Sequence, residues 1–464
     1  MTGTSVATGS IGSPWWHRPD PVPATPLPGA LTADVAVVGG GLAGLAAAYY
    51  LRRLSPDSAV VVLEADRVGA GGSGCSTGIV APGVGGPITS LRARYGTATA
   101  ARMFRSSAAA VVRTIELVRE EGLDCDLETN GQLVGALTRS QDAALRRQAR
   151  AFAELGIDVP YLDRSELSGV LRTDAYLGAL RHPLAATLDP VALCRALRAR
   201  LRDLDVPVYE HTPVTRVVPG PRVALTTRGG TVTARQCVLA TDAFTGRLGL
   251  LADTVVPLTA HVVRTAPLGP LELTALGWRH RDSVVDCRTF FDYYRLTPDD
   301  RLVLGGGRAG VPRPLSADRQ GTERPGTAPD RSQAAAWRRL ESRIARLFPV
   351  LDDVPVTDRW SGPIGAVVDR LPRVGAVPRL PGVWFTGGWC GHGIPLSVAA
   401  GADLARRMSD DAGDVGPLPW HRDTSPRLPG DPWRRWGLGA YLGSLDATDR
   451  LRASVDRHGR RHAA

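Results

Sequence analysis

The pattern of apolar residues near the N-terminus predicts a strand, a helix and a second strand in close succession. Positions 35–38 and 60–63 are short apolar runs, and the alanine-rich stretch 42–53 between them has the composition of a helix. Two such runs on either side of one helix are typical of a parallel β-α-β unit. A membrane span is excluded, because the uncharged run 35–51 falls short of ~20 residues and contains a glycine turn.

Three glycines occupy the turn between the first strand and the helix. Gly39, Gly41 and Gly44 have the spacing GxGxxG. Gly39 allows a tight exit from the strand, Gly41 lets a pyrophosphate approach the backbone, and Gly44 allows close helix packing. Glu64 lies twenty residues after Gly44, where a carboxylate accepts the ribose hydroxyls. The unit therefore predicts an adenine-dinucleotide site with its pyrophosphate at the helix N-terminus.

A glycine-rich segment follows, from 66 to 86. Its composition fits either backbone that runs along a flat ligand or a flexible loop. In the first case, Gly72, Ser73 and Gly74 supply further amide groups to the pyrophosphate. Both interpretations stay open at the level of sequence.

The remaining pattern predicts five more helices and a series of short strands. The helices are 91–121, 143–155, 190–204, 333–347 and 394–408. The strands are 132–137, 206–210, 215–218, 223–227, 232–233, 236–240, 255–265, 283–286, 290–296, 302–305 and 383–386. The strands from 255 to 305 predict a second, antiparallel sheet, whereas glycine and proline punctuate 360–375.

Composition excludes several classes of chemistry. All 56 residues counted as lysine or arginine are arginine, which excludes Schiff-base lysines and the Walker lysine. The net charge of +10 is dispersed, whereas a nucleic-acid-binding protein has a clustered basic face. The six cysteines form no CxxC pair, so we expect neither a metal site nor disulfides. With no apolar signal segment at the N-terminus, the sequence predicts a cytoplasmic protein.

Seven segments in order resemble FAD-dependent oxidoreductases of the D-amino-acid-oxidase (DAO) type. The similarity is to the branch that contains γ-glutamylputrescine oxidase, glycine oxidase and sarcosine oxidase, and it spans residues 14–450. The segments are ADVAVVGGGLAGLAAAYYL, VVVLEADRVGAGGSG, GLDCDLETNGQLVGA, VLATDAFT, FFDYYRLTPDDRLVLGGG, RWSGPIGAVVDRLPRVG and GGWCGHGIPLSVAAGADLARRM.

The resemblance implies an α/β fold, with a Rossmann-type FAD-binding domain of the glutathione-reductase kind and an interleaved α+β substrate domain. The FAD domain is expected at 30–90, 185–250 and 351–410, and the substrate domain, on an antiparallel sheet, at 91–184 and 251–350. An N-terminal arm (1–29) and a C-terminal tail (411–464) flank them.

The implied activity is oxidation of the C–N bond of an amine or amino acid by hydride transfer to N5 of non-covalent FAD. The imine product then hydrolyses. Oxygen is the expected electron acceptor. A dehydrogenase with another acceptor, or a non-catalytic flavin-binding subunit, is the alternative.

The resemblance also implies particular cofactor contacts. Val214 contacts the adenine, Ala240 and Thr241 lie beside the phosphoribityl arm, and the turn 388–393 reaches the isoalloxazine ring. A helix that starts at Ile394 directs its positive end at the ring, and His392 donates a hydrogen bond there. The other expected contacts are Leu42, Ala43, Ala65, Arg67, Cys75, Ser76, Thr77, Gly365, Gly388, Gly391 and Gly393.

Catalytic expectations are centred on an aromatic strand and on two departures from the family. Tyr294 is expected in the substrate wall with only some of its aromatic neighbours at 290–293, because alternate residues face opposite sides of a strand. Arg295 or Arg308 is expected to bind a substrate carboxylate with two hydrogen bonds. The alternative for each is an ion pair at the protein surface. The sarcosine branch uses a lysine near N5, and this chain has none. Cys75 replaces an arginine of the putrescine-oxidase branch and is either packed beside the ring or linked to it.

Overall fold

The computed structural model describes residues 20–310, 331–409 and 418–430, together with positions 437, 440, 443 and 444. The helices in these ranges are α1 (Leu42–Leu54), α2 (Ile88–Tyr95), α3 (Thr97–Glu120), α4 (Arg139–Glu154), α5 (Arg164–Ser168), α6 (Pro190–Asp203), α7 (Pro270–Leu276), α8 (Arg331–Leu347) and α9 (Gly393–Met408). The strands are β1 (Leu31–Val38), β2 (Val60–Leu63), β3 (Ile79–Val80), β4 (Gln132–Ala136), β5 (Tyr161–Asp163), β6 (Gly178–His182), β7 (Ala186–Thr187), β8 (Val208–Tyr209), β9 (Arg216–Val218), β10 (Val223–Thr226), β11 (Thr231–Leu239), β12 (Val256–Pro267), β13 (Ser283–Asp286), β14 (Tyr293–Leu296), β15 (Arg301–Gly310), β16 (Val356–Ala366), β17 (Arg373–Ala376) and β18 (Val383–Gly387). None of the helices in these ranges is long and apolar enough to cross a membrane.

The first sheet is built around the predicted β-α-β unit. Its order is β17-β18-β11-β1-β2-β8, with β10 and β9 attached beyond β11. β1 lies parallel to both β2 and β11, and β11 lies parallel to β18. All four residues of β2 are buried, because helices and loops cover both faces of a parallel sheet. This sheet confirms the Rossmann-type half of the predicted fold.

The second sheet also has eight strands and is mostly antiparallel. Its order is β16-β12-β15-β14-β13-β4-β6-β5, and the β4–β13 pair is the parallel exception. Its strands come from three separate stretches of the chain, so the two sheets are interleaved as predicted. α8 packs Trp337, Leu340 and Ile344 into a core cluster against this sheet.

Close helix packing holds α9 beside α1. A Cβ atom added at Gly401 of α9 would lie 2.7 Å from the backbone nitrogen of Ala47 in α1. Both helices begin at the same side of the first sheet, next to Gly41 and His392. This packing brings the two helix N-termini to the walls of one cavity.

Some predicted elements are wrong at their boundaries for identifiable reasons. The helix predicted at 91–121 is two helices, because Gly96 has φ +78° and interrupts them. The predicted strands 232–233 and 236–240 are one strand, β11, whose polar residues lie at its more exposed positions. The strand predicted at 290–296 begins only at Tyr293.

The stretch 360–375 forms two strands that the punctuation by glycine and proline concealed. β16 contains Pro363 and is the edge strand of its sheet, where a missing backbone N–H is tolerated. β16 belongs to the second sheet, although the predicted FAD segment 351–410 included it. The boundary near 351 therefore moves to the end of β16, and β17 begins the returning part of the first sheet.

Both termini are described only in part. In the N-terminal arm Leu27 is buried, whereas the tryptophans at 15 and 16 lie outside the described residues. In the tail, Trp420 is buried and its carbonyl accepts a hydrogen bond from the backbone of Val374 at 3.0 Å. The sequence also predicts a weak helix near 436–451, and most of these residues lie outside the described ranges.

Candidate functional site

A single large cavity connects the two sheets within the described part of the chain. Its volume is about 2780 Å³, well above the ~300–1,000 Å³ of ordinary small-molecule pockets. One end lies at the carboxyl ends of β1 and β2, beside Gly39 and Glu64. The other end lies against the second sheet, beside Val285 and Tyr293. The carboxyl edge of a parallel sheet is where such folds bind ligands.

The glycine turn is shaped by close backbone approach. Gly39 has φ +114°, and a Cβ there would lie 2.7 Å from the carbonyl oxygen of Ala240. A Cβ at Gly44 would lie 1.9 Å from the Gly39 carbonyl oxygen, so this position admits glycine alone. Ser73 Oγ accepts a hydrogen bond from the Leu42 amide at 3.0 Å, next to Gly41. The turn leaves space for a flat, extended ligand group at the N-terminus of α1.

Glu64 lies at the end of β2 and turns its carboxylate back to the glycine turn. It accepts hydrogen bonds from the backbone N–H groups of Gly40 at 2.5 Å and Asp66 at 2.9 Å. Burial raises the pKa of Glu64 to about 7. The neighbouring residues Ala65 and Val214 line the same end of the cavity, so this end has the acceptor and the walls that an adenosine requires.

The cavity gathers most of the residues expected to contact the cofactor. Those in its lining are Gly39, Gly41, Leu42, Ala43, Glu64, Ala65, Gly72, Ser73, Cys75, Ser76, Thr77, Val214, Ala240, Thr241, Gly391, His392, Gly393 and Ile394. Five expected contacts lie outside the lining: Gly44, Arg67, Gly74, Gly365 and Gly388.

Four of these five residues make hydrogen bonds to the protein itself, outside the cavity lining. Arg67 points away, and its guanidinium donates to the carbonyl oxygen of Val22 in the N-terminal arm at 3.0 Å. Gly74 donates its N–H to the Gly69 carbonyl within the glycine-rich segment. Gly365 and Gly388 donate their N–H groups to one side chain, that of Asp242.

Asp242 links three parts of the chain at the cavity wall. It follows β11, and its carboxylate accepts hydrogen bonds from Gly388 at 2.7 Å and Gly365 at 2.9 Å. The Cys390 N–H donates to the Gly365 carbonyl, which completes the connection. Burial raises the pKa of Asp242, and the backbone N–H groups around it favour the charged form. The sequence signal for this role was the strand end VLATDAFT, although no expectation was attached to Asp242 itself.

His392 is the N-cap residue of α9 and lines the cavity. Its backbone N–H donates to the Trp389 carbonyl at 3.0 Å, which closes the turn before the helix. The imidazole packs against Gly83, where an added Cβ would lie 2.6 Å from Nε2. Burial lowers the pKa of His392 to about 4, so the imidazole is neutral near pH 7. A neutral donor therefore stands at the positive end of a helix dipole.

The aromatic strand divides its side chains between two environments. Tyr293 lines the cavity, together with Phe290 and Phe291 from the preceding turn. Tyr294 is fully buried on the opposite face, and its hydroxyl lies 2.9 Å from that of Tyr176. Successive residues of a strand point to opposite faces, so the expectation that Tyr294 is a wall residue is corrected to Tyr293.

Arg295 does not line the cavity either. Its guanidinium donates to the carbonyl oxygens of Thr77 at 2.6 Å and Leu188 at 2.8 Å, and burial lowers its pKa to about 10. Arg295 therefore fixes the segment that carries Thr77, and a substrate carboxylate at the cavity does not reach it. The side chain of Arg308 lies outside the described part.

Cys75 lines the cavity but is held in an apolar setting. It belongs to a buried cluster with Val262, Val303 and Trp360, and its carbonyl accepts a hydrogen bond from the Trp360 indole at 3.0 Å. Burial raises the pKa of the Cys75 thiol to about 12. A thiolate is disfavoured there, so the geometry favours the packing role over a covalent link.

An ion cluster at the substrate end was not found from the sequence. Arg288 contacts the carboxylates of Asp286 and Asp292, and Arg343 lies 2.9 Å from Asp292. Asp286 and Arg288 line the cavity. Two cations thus match two anions, and α8 brings Arg343 from far along the chain. Among the residues that the structure describes, no group of three or more potential metal ligands was found.

Comparison with known proteins places these features in a family. The model for "FAD dependent oxidoreductase" (DAO) matches residues 34–407. The chain is 29% identical over 389 residues to gamma-glutamylputrescine oxidoreductase of Escherichia coli, with 82% of this chain and 85% of that protein covered. It is 26% identical to the glycine oxidase of Geobacillus kaustophilus, with 83% of this chain and 96% of that protein covered. The chain belongs to the FAD-dependent oxidoreductase (DAO) family.

A solved structure gives the same result for the fold. The crystal structure of glycine oxidase from Geobacillus kaustophilus aligns with a TM-score of 0.68 and 25% identity. It covers 85% of this chain and 100% of that chain. The fold is therefore that of a DAO-type flavoprotein, and the protein is an FAD-dependent oxidoreductase of the amine and amino-acid oxidase type.

The residues present fit FAD. Gly39 and Gly41 line the cavity at the N-terminus of α1, where a pyrophosphate would lie, and Gly41 has no Cβ to hinder its approach to the backbone. Glu64 offers carboxylate oxygens where a ribose is expected, and the α9 N-terminus is at the opposite end of the cradle. Bound FAD would supply the redox chemistry, and these residues would hold its two halves.

Substitution of Glu64 tests the adenosine end of the site. We expect Glu64→Ala to weaken FAD binding by about tenfold to a hundredfold, because the ribose hydroxyls lose a charged acceptor. Flavin content after purification and titration of the apoprotein with FAD measure this. Glu64→Gln, which keeps one acceptor oxygen, should fall between, and Glu116→Ala on the exposed face of α3 is the control. Full occupancy in Glu64→Ala would place the adenosine elsewhere.

Substitution of Asp242 tests the link between the sheets. We expect Asp242→Ala to lower the free energy of unfolding by on the order of 3 kcal/mol, because two buried amides lose a charged acceptor. Flavin content should fall with it, since the turn 388–393 is released. Chemical denaturation and flavin absorbance are the measurements. Asp353→Ala at an exposed position is the matched control, and equal stability of the two variants would contradict the role of Asp242.

Proposed function

We propose that this protein oxidises the C–N bond of a small amine or amino acid to an imine, which water then hydrolyses. When bound, FAD would accept a hydride from the carbon next to the amine nitrogen. The observation that carries the proposal is the continuity of the cavity, which joins the dinucleotide cradle at Gly39 to an aromatic end at Phe291 and Tyr293. A substrate in that aromatic end lies in the same space as the cofactor.

The aromatic end favours a neutral amine. Hydride leaves a carbon readily only when the neighbouring nitrogen has its lone pair free. Phe290, Phe291 and Tyr293 form apolar walls, and an apolar environment lowers the pKa of an ammonium group. The carboxylates of Asp286 and Asp292 are already matched by Arg288 and Arg343, so they do not hold the substrate in its cationic form. No side-chain base is required in this scheme.

His392 and the α9 N-terminus supply the electrostatic part of the proposal. Both lie at the end of the cavity expected for the isoalloxazine ring. The helix N-terminus carries about half a positive charge, which stabilises negative charge placed beside it. The neutral imidazole of His392 would donate a hydrogen bond to the isoalloxazine ring without adding a second positive charge.

We propose oxygen as the electron acceptor, with a quinone or carrier protein as the second candidate. The second candidate is favoured by one observation, the complete absence of lysine from the chain. The sarcosine branch places a lysine near N5 for reaction with oxygen. Among the described residues, His392, Arg288 and Arg370 are the basic side chains that line this part of the cavity.

A substrate panel tests the activity. The holoenzyme is mixed anaerobically with polyamines, N-methyl amino acids and D-amino acids, and flavin bleaching is followed, with peroxide formation in air as the second readout. We expect one class to bleach the flavin. Bleaching with rapid peroxide formation supports an oxidase, and bleaching with slow reoxidation supports the alternative acceptor. Absence of bleaching with every class would overturn the proposal.

The pH dependence tests the neutral state of His392. Because burial lowers its pKa to about 4, the imidazole is neutral above pH ~5. Its titration therefore causes no change in kcat/KM between pH 6 and 9. The limb of kcat/KM in that range should follow the substrate's own amine pKa. His392→Gln should slow flavin reduction and leave the limb in place. If that limb disappears in His392→Gln, the histidine titrates in this range and its assigned role is wrong.

A further inference from the structure

Residues 418–430, which follow α9 in the chain, pack against β17; we call them the returning segment. Trp420 is buried, and its carbonyl oxygen accepts a hydrogen bond from the Val374 N–H of β17 at 3.0 Å. Three residues after Trp420, the Asp423 carboxylate accepts the N–H of Ala376, the last residue of β17, at 3.0 Å. The returning segment is therefore attached along β17.

Arg422 of the returning segment forms a bidentate ion pair with Asp369. Its two terminal nitrogens donate to the two carboxylate oxygens, Nη2 at 3.0 Å, and Nη2 also donates to the Leu371 carbonyl at 3.1 Å. The Asp369 side chain is 5% exposed. Burial alone would raise the pKa of Asp369, but the hydrogen bonds from Arg422 hold this pKa below its usual range. A buried bidentate pair fixes both side chains, unlike a single ion pair at the surface.

Asp369 is the buried centre of a short loop, 367–371, in the wall of the cavity. Val368 and Arg370, on either side of Asp369, are exposed and line the cavity. Arg370 has φ +61°, a left-handed conformation that costs ~1–3 kcal/mol for a residue other than glycine. Such a conformation persists only where neighbouring contacts hold it. The ion pair of Asp369 with Arg422 is a contact of this kind, next to the strained residue.

The same loop supports the turn before α9, in which His392 is the N-cap residue. The Val367 N–H donates to Cys390 Sγ in that turn at 3.4 Å. A Cβ at Gly388 would lie 2.8 Å from Val367 Cγ1, so the loop and the turn are in close contact. A displacement of Asp369 therefore passes through Val367 to the turn at the N-terminus of α9.

The N-terminus of α9 supplies positive charge to the cavity. A helix N-terminus carries about half a positive charge, and its effect falls off within the first turn. Negative charge that develops on the isoalloxazine ring when FAD is reduced would be stabilised there. This stabilisation decreases with distance and with the entry of water, which has a high dielectric constant. The turn before α9 must therefore stay in place for the helix to favour reduction of the cofactor.

We propose that Arg422 is a positioning residue of the functional site: through Asp369 it holds the loop 367–371, and with it the turn before α9, in the geometry that favours reduction of the flavin. Arg422 itself does not line the cavity. It lies beyond residue 407, where the match to the family model ends, so the returning segment adds a part to the site from outside that match. The placement of the ring beside α9 is taken from the proposed function, whereas the substrate does not enter.

The midpoint potential of bound FAD tests this role, measured on the full-length holoenzyme at saturating FAD by titration against a reference dye. We expect Arg422→Ala to lower the potential by ~30 mV, which is a tenfold change in the equilibrium constant of a two-electron reduction. Asp369→Asn should lower it by a similar amount, because either change breaks the pair. Arg422→Lys keeps the charge without the bidentate geometry and should fall between. Arg164→Ala, which removes an exposed ion pair with Asp174, is the control and should keep the wild-type potential.

The sign of the two shifts separates positioning from a direct effect of charge. If the charges acted on the flavin directly, Arg422→Ala would lower the potential and Asp369→Asn would raise it. Positioning lowers the potential in both variants, and the double variant should show little more than either single variant, because all three lose the same pair. Shifts of opposite sign, or shifts that add in the double variant, overturn the proposal.

A merely structural role has a different result. Chemical denaturation would then show lower stability in the variants, while the folded, FAD-loaded protein kept the wild-type potential, and this outcome overturns the proposal. If Arg422→Ala does not fold, Asp369→Asn and Arg422→Lys decide by the same measurement. If no amine reduces the flavin, the proposed amine oxidation fails. The potentials are measured without an amine, so they decide the role of Arg422 in that case as well.

Discussion

The carboxylate of Asp242 is the interaction on which the geometry of the site depends. It follows the central parallel strand β11 and accepts N–H groups from Gly365, on the second sheet, and Gly388, after the last strand of the first sheet. One side chain therefore fixes the second sheet and the turn before α9 against the Rossmann core. The bonds are charge-assisted and buried, which makes each stronger than a bond between neutral groups. The cavity has its shape because these three segments cannot move independently.

The helices beside the cavity pack closely because two positions, Gly44 and Gly401, have no side chain. A Cβ at Gly44 would overlap the Gly39 carbonyl, and a Cβ at Gly401 would overlap the backbone of α1. These contacts draw α1 and α9 onto the sheet and bring both N-termini to one cavity. The positive ends of two helix dipoles therefore face two separate parts of the same cavity. FAD, which carries a pyrophosphate and a ring that becomes anionic on reduction, is complementary to that arrangement.

At the substrate end of the cavity, the buried titratable side chains described above are either neutral or paired with an opposite charge. Burial keeps His392 and His182 neutral, and Asp286 and Asp292 are matched by Arg288 and Arg343. The Arg295 guanidinium donates its hydrogen bonds to the backbone carbonyls of Thr77 and Leu188 and does not face the cavity. An apolar cavity of this kind favours the neutral form of an amine.

The sequence by itself determined the dinucleotide unit, the family and most helices, because these depend on local spacing. Gly39, Gly41, Gly44 and Glu64 are separated by fixed numbers of residues, and the structure brings them together as that spacing predicts. The start of the predicted helix 190–204 was also local, since the preceding residue, Asp189, caps it by accepting hydrogen bonds from the Val191 and Ala192 N–H groups. The tertiary structure alone decided which face of β14 meets the cavity, and so exchanged Tyr294 for Tyr293. It alone placed β16 in the second sheet and brought Gln132 opposite His182, fifty residues away. Pairings of this kind depend on sheet register, and register is set by the packing of distant strands, which no local pattern records.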